Sequence, residues 1–386
     1  MVASDPNPGL AGGLKVGEHS FGILRDGNTT HWRASESRTH YPTKTVHTMR
    51  LYAHRLCAQA KGLWRLLGRA SAITVPVVDN IAHGLTGALI GYCGFRQRGG
   101  SESGRAALWT CIAAAEFPDI DIVMAYFGGD TYLRWHRSFT HSAVMLPCWA
   151  SLIAWAFWEL SGRKNFRLLW WASVAGIASH LVLDWLTNYG TELLWPFSDA
   201  RLALSWVFIV DPYVWAMLGV GLWAAFRAQR QRLARISLGV VSAYLLFCGV
   251  SRAYALHVYE ASGVMGRIDA FPQPMDPLHW TIVREDGMTV HWVNGSRNDT
   301  FVQFHDDELL PKAEATRAVK TFRWFAAFPL VEKIREDGHT VLRYRDLRFR
   351  TPMPWGGVRE GTFIVAKVVF DKQGNVIASG LAGEQD

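Results

Sequence analysis

Apolar residues are unevenly distributed along the 386-residue chain: long apolar runs fill residues 74–255, while 1–72 and 257–386 read as ordinary polar sequence. This predicts a membrane region with soluble ends. Six stretches, at 75–95, 106–127, 143–160, 168–187, 204–226 and 236–255, each come near the ~20 residues a bilayer-crossing helix needs. The last is the weakest, because it carries Arg252. Residues 279–386 alternate apolar and polar positions, with hairpin signals at Asp286-Gly287, Asp337-Gly338 and Gly374-Asn375 and one helical stretch at 312–325. The expected fold is an all-α polytopic membrane bundle of five or six spans followed by a soluble α+β domain with a small antiparallel sheet. Four segments result: a flexible tail at 1–45, a basic amphipathic segment at 46–72, a membrane domain at 73–255 and the soluble domain at 256–386.

Composition narrows the class further. With 49% hydrophobic and only 19% charged residues, disordered and fibrous readings are excluded. Many of the 18 tryptophans sit near the ends of apolar runs, among them Trp155, Trp158, Trp170, Trp171, Trp195 and Trp206, where an amphipathic ring suits the lipid–water boundary. The net charge of +7 accompanies no nucleic-acid motif, so membrane lipids are the expected partners and nucleic acid is not. Five cysteines without CxxC spacing read as packed free thiols, and the N-terminal sequence lacks the pattern of a signal peptide.

Loop charge predicts orientation. Arg96, Arg98 and Arg105, then Arg163, Lys164 and Arg167, then Arg227, Arg230, Arg232 and Arg235 mark three cytoplasmic loops. The expected location is a bacterial-type inner membrane, multi-pass, with the C-terminal domain outside the cytoplasm. The basic segment between Lys44 and Arg69 then falls on the outer side, against the same rule.

Ionisable groups within the apolar stretches demand a reason, since an Asp at a helix centre costs about 2.5–3.5 kcal/mol on insertion scales. Asp79, His83, Glu116, Asp119, Asp121, His136, His141, His180, Asp184 and Asp211 are such groups or border them. His180 and Asp184 stand four apart on one helical face, as two ligands of one metal would. Pro118 breaks a helix just before Asp119 and Asp121, and His136 and His141 flank a short loop. Taken singly, each has a plainer explanation: His83 as a packing histidine, Glu116 or Asp79 as partners of Arg134 or Arg137, Asp211-Pro212 as a helix start. Taken together, four segments deliver His or carboxylate to one depth of the membrane. Imidazole and carboxylate without thiolate suit Zn, Mn or Fe.

The same residues carry a resemblance. DNIAHGLTGALIG, FPDID, WHRSFTHS and SHLVLDWLTNYGTELLWPFSD, in this order across about residues 79–212, resemble the inner-membrane metal-dependent hydrolase family, also described as LexA-binding, inner-membrane-associated hydrolases. That resemblance implies a membrane helix bundle with a His/Asp metal site and a hydrolase activity assigned by similarity. The family is in turn distantly similar to zinc-dependent phospholipase C and P1-type nucleases. Carried over residue by residue, the implied metal set is His83, Asp119, Asp121, His136, His141, His180 and Asp184.

The expected function is hydrolysis of an ester or phosphoester of a lipid or lipid-linked substrate by metal-activated water. Seven ligands exceed one tetrahedral ion, which favours two divalent ions, Zn first, with Mn or Fe as alternatives. Arg137 is the candidate clamp for an anionic phosphate and Glu116 a candidate general base. A non-catalytic, metal-containing stress-response or scaffold protein is the main alternative. A transporter is a weaker one, because the chain lacks internal repeat symmetry.

Overall fold

A computed structural model describes residues 25–26, 29–30, 79–98, 100–263, 265–306, 308–336, 338–360 and 364–382. The basic amphipathic segment lies outside the described residues, as does the expected tail apart from a two-residue antiparallel ladder of Arg25–Asp26 with Thr29–Thr30. Everything that follows concerns the unit from Ala70 to Asp386.

The membrane region contains helices α1 (Asn80–Gly94), α2 (Gly100–Glu116), α3 (Gly129–Trp135), α4 (Leu146–Leu160), α5 (Phe166–Leu186), α6 (Pro212–Ala228) and α7 (Gln231–Glu260). The expectation of five or six spans is overturned. Among the described residues only α5 and α7 are long and apolar enough to cross a membrane; a third span results if Gly129–His141 and Leu146–Leu160, bent by 77° at their junction, count as one. The physical reason is helix breaking. An apolar window counts residues whether or not the backbone through them is continuous. Pro118 ends the second stretch as a helix, and the chain runs on as 3₁₀ turns from Phe117 to Phe127. Asp211-Pro212 starts α6 late, with the Asp211 carboxylate accepting from the amides of Tyr213 and Val214. At 15 residues, α1 reaches only about 22 Å, short of the ~30 Å hydrocarbon core. The stretch that looked weakest becomes the 30-residue α7, because Arg252 lies near its far end, where Nε donates to the Ala270 carbonyl at 3.0 Å and the guanidinium pairs with Asp269.

Small residues set the packing of α1, α2 and α5. Gly84, Gly87 and Gly91 line one face of α1 against α2; a Cβ at Gly87 would lie 2.7 Å from the Ala115 Cβ, and one at Gly91 2.7 Å from Leu108 Cδ1. Gly176 does the same from α5, where a Cβ would meet the Cys111 carbonyl and come within 2.8 Å of the Ala114 Cβ. Such close approach is how helices associate where the solvent is as apolar as the side chains. Around this trio, Leu89, Tyr92, Val214, Leu218, Val241 and Leu245 close a second cluster between α1, α6 and α7.

The C-terminal region corrects the remainder of the fold expectation. Among the described residues it is a β-sheet domain with two four-stranded antiparallel sheets and a two-residue ladder of Thr351–Pro352 with Val358–Arg359, not one small sheet, although it also holds helices. The first sheet is a meander of β1 (Arg267–Gln273), β2 (Asp276–Asp286), β3 (Thr289–Asn294) and β4 (Arg297–Val302). The second has the order β8 (Val376–Ala382), β7 (Val365–Phe370), β6 (His339–Asp346) and β5 (Pro329–Glu336). Gly287, Gly338 and Gly374 turn three of these hairpins at φ of 60°, 79° and 76°, a region that favours glycine. Between the sheets come α8 (Leu309–Glu314) and α9 (Arg317–Phe325), where one helical stretch was expected. The first sheet rests on the end of α7 through Ala270, Trp280 and Ile282 against Ala255, Leu256 and Tyr259, and Trp280 Nε1 donates to Ser251 Oγ at 2.9 Å.

Gly176→Leu tests the close packing. The overpacked contact should cost ~1–3 kcal/mol or more and displace α5, lowering the thermal midpoint in detergent, whereas the same change at the open Gly219 should leave it unaltered.

Candidate metal centre

Four segments converge. His83 projects from the first turn of α1, one turn after Asp79, and is fully buried. His180 and Asp184, one turn apart on α5, are also fully buried. The close approach at Gly176 brings α5 against the end of α2, so that His180 Nδ1 lies 2.7 Å from the Ala115 carbonyl. The 3₁₀ segment after Pro118 supplies Asp119 and Asp121, and a second 3₁₀ turn, Phe139–His141, supplies His141. Just before that turn the backbone of Arg137 is left-handed at φ 60°, a conformation that costs a non-glycine residue roughly 1 kcal/mol or more.

Asp121 holds that turn in place. It accepts from the Arg137 amide at 2.9 Å and the Thr140 hydroxyl at 2.8 Å, and faces His136 Nδ1 at 2.7 Å and His141 Nδ1 at 3.2 Å. Burial alone would push its pKa up, but the two imidazoles and these hydrogen bonds hold it well below the usual carboxylate value.

These partners determine where the ring protons sit. A carbonyl only accepts, so His180 Nδ1 carries a proton toward Ala115. His141 Nδ1 faces Asp121, whose Oδ2 already accepts from Thr140, so this nitrogen too is the donor. The two Nε2 atoms lie 3.0 Å apart, and in neutral rings both would be lone pairs. Asp184 Oδ2 is 3.1 Å from His141 Nε2 and 3.5 Å from His180 Nε2; Asp119 Oδ1 is 3.4 and 3.6 Å from them. One possible ligand atom from each of Asp119, His141, His180 and Asp184 lies within 4.8 Å of the other three. Among the described residues neither oxygen of Asp184 makes a hydrogen bond, although Arg137 Nη2 approaches Oδ1 to 2.8 Å. Two imidazole nitrogens and two carboxylate oxygens meeting at one buried point are a donor set that fits a divalent metal. Asp121 and the Ala115 carbonyl orient the two imidazoles in the way that outer partners of metal-bound histidines do.

Of the seven expected ligands, Asp119, His141, His180 and Asp184 form one group, and His83 joins Asp184 and Asp79 in another. Asp121 and His136 are adjacent but outside both: Asp121 supports His141, and His136 turns away to stack on Tyr132 at 4.6 Å. Arg137 is buried, with Nη1 on the Thr187 hydroxyl at 3.0 Å and its guanidinium 4.9 Å from the Tyr189 ring centroid, so it does not face open space. Glu116 is in neither group; it accepts from Asn80 Nδ2 at 2.9 Å, and the same nitrogen is 3.3 Å from Asp119 Oδ2.

Sequence reasoning missed the supports behind the site. Glu192 is buried and accepts from Arg134 at 2.8 Å and Ser138 at 3.1 Å; burial raises its pKa against the pull of both arginines nearby. Arg201 donates to the carbonyls of Gly190 at 2.8 Å and His136 at 3.2 Å, and burial pushes its pKa down to about 10. The density of polar residues in TNYGTELLWPFSD was the local signal for Glu192, and Arg201 lies just beyond it with none of its own.

Residues 78–255 match the YdjM inner membrane protein family. Every residue of both donor groups falls inside that match. An uncharacterized protein, YfhP, of Bacillus subtilis (strain 168) is 28% identical over 122 residues, which is 31% of this chain and 37% of that protein. The similarity therefore spans little more than a third of that relative. No solved structure matches the chain. Together with α5 and α7, the family match supports a membrane location.

Two outcomes test the centre. His180→Ala or Asp184→Ala should each strip most bound metal, read by elemental analysis, with membrane insertion unchanged. Asp121→Asn, which alters support and not a donor, should weaken metal affinity roughly 10- to 100-fold while still permitting saturation at high metal concentration.

Proposed function

We propose that the protein is a membrane-embedded, metal-dependent hydrolase that cleaves an ester or phosphoester bond of a lipid or lipid-linked substrate. The observation that carries this reading is the four-residue cluster of Asp119, His141, His180 and Asp184, three of whose members are fully buried. Its donor set of two imidazoles and two carboxylates suits Zn, with Mn or Fe as alternatives. A divalent ion held there supplies Lewis acidity and lowers the pKa of bound water toward ~7.

The chain's own residues contribute the rest. His141 and His180 present Nε2 because their Nδ1 protons are committed elsewhere. Arg137 offsets the charge of Asp184 from behind, a role that its burial favours over clamping a substrate phosphate. Glu116, tied to Asp119 through Asn80, is positioned to take a proton at the edge of the site. Asp119 is the donor that touches the surface, its side chain 20% exposed, and the segment carrying it exposes Ile120, Val123 and Phe127. An apolar rim beside the exposed ligand is what an acyl or isoprenoid chain would seat against.

The same burial also favours a second reading, in which the metal is kept for folding and nothing is turned over. A turnover assay separates the two. Full-length protein in detergent should hydrolyse a member of a phospholipid and phosphodiester panel, lose that activity on chelation and regain it on adding Zn or Mn. Arg137→Lys should retain metal and most activity, and Arg137→Ala should lower both. Metal-loaded parent protein that turns over no member of the panel would leave the folding role as the better account.

We also place the site and the β domain outside the cytoplasm. Basic residues lead into both α5 (Arg163, Lys164, Arg167) and α7 (Arg227, Arg230), while His180, Asp184 and the β domain lie toward the far ends of those helices. A C-terminal reporter active only outside the cytoplasm should be active; a silent reporter alongside an active cytoplasmic one would reverse the orientation.

A further inference from the structure

Asp79 occupies the N-cap position of α1, yet its carboxylate accepts no capping hydrogen bond. Asp is among the best capping residues, and the missing bond is worth about 1 kcal/mol. The side chain is directed elsewhere. Its Oδ2 lies 3.8 Å from Nε2 of His83, one turn on, and the same nitrogen lies 3.4 Å from Asp184 Oδ1. One donor atom from each of the three residues falls within 4.8 Å of the others. His83 is fully buried, and among the described residues neither of its ring nitrogens has a hydrogen-bond partner. An imidazole left so costs roughly 1–3 kcal/mol for each unsatisfied group, and nothing in apolar packing requires a histidine there.

We propose that Asp79, His83 and Asp184 hold a second divalent cation, with Asp184 bridging: Oδ1 serves this position and Oδ2 serves the first. The proposal rests on the four-donor group being a metal site. Its own support is separate. The buried His83 ring and the Asp79 carboxylate, which makes no cap, are left without the partners a packing role would give them, and the first position does not supply them. The His83 and His180 rings, one from each position, stack at 3.7 Å and 21°, holding the two imidazole ligands side by side. Arg137 shares Asp184 Oδ1, so the second position is the weaker and fills last.

Titrating metal-stripped, full-length protein in nanodiscs with Mn²⁺ tests this, read as bound equivalents and by electron paramagnetic resonance. The parent should bind two equivalents, the second more weakly, and give the spectrum of two coupled ions sharing a carboxylate. Asp79→Asn and His83→Gln should each bind one, with the signal of an isolated ion, and Asp79→Glu should restore the second. The parent titration decides the count whatever the variants do. One uncoupled equivalent in the parent overturns the second position and leaves the first standing; no bound ion overturns both.

Discussion

The carboxylate of Asp184 is the constraint around which the membrane region is arranged. It is fully buried, with neither oxygen hydrogen-bonded among the described residues, a state that is costly unless positive charge lies close by. Arg137 approaches one oxygen, and His83, His141 and His180 crowd both. These neighbours come from α1, from α5 itself and from the 129–141 region, so the charge can be tolerated only when all three are in place. The glycines that let α1 and α5 approach α2 are thus as much a part of the site as the side chains that meet there.

The β domain takes part in the same arrangement. Arg348, buried beside Asp346, extends its guanidinium to the carbonyls of Asn188 and Tyr189 at 3.2 and 3.4 Å. Tyr189 in turn underlies Arg137 and Arg201, and Arg201 is covered by Trp324 and Phe325 of α9. Leu133, Phe325 and Phe349 close this junction with apolar packing. The loop that carries Arg137 and His141 is therefore held from both sides, by the membrane helices and by the β domain. This bears on the hydrolase reading, because a metal site works only if its ligands are held by their supports to within a fraction of an ångström.

Much of the chemistry was legible locally. The four-residue spacing of His180 with Asp184 put that pair on one helical face, and the two meet in the structure, whereas the same spacing of Asp79 with His83 went unread. Pro118 marked irregular backbone ahead of Asp119 and Asp121, and 3₁₀ turns follow it. Hairpin glycines marked three turns of the β domain. The number of spans was misread for a related reason: hydropathy records which residues avoid water and carries no information on whether the helix through them is unbroken.

What the sequence determined by itself was the inventory and its local phase: which residues carry charge into apolar surroundings, which share a helical face and where the backbone must turn. These follow from periodicity and backbone sterics, which act over a few residues. Only the tertiary structure decided which of them are donors and which are supports. His141 meets His180 across 39 positions, and His180 meets Ala115 across 65. Asp121 and Asp119, two residues apart and alike in chemistry, part company because one faces the His141 turn and the other the cluster. That choice depends on how α2 and α5 are rotated when a glycine lets their backbones touch, a geometry set by contacts distant in sequence that no local pattern encodes.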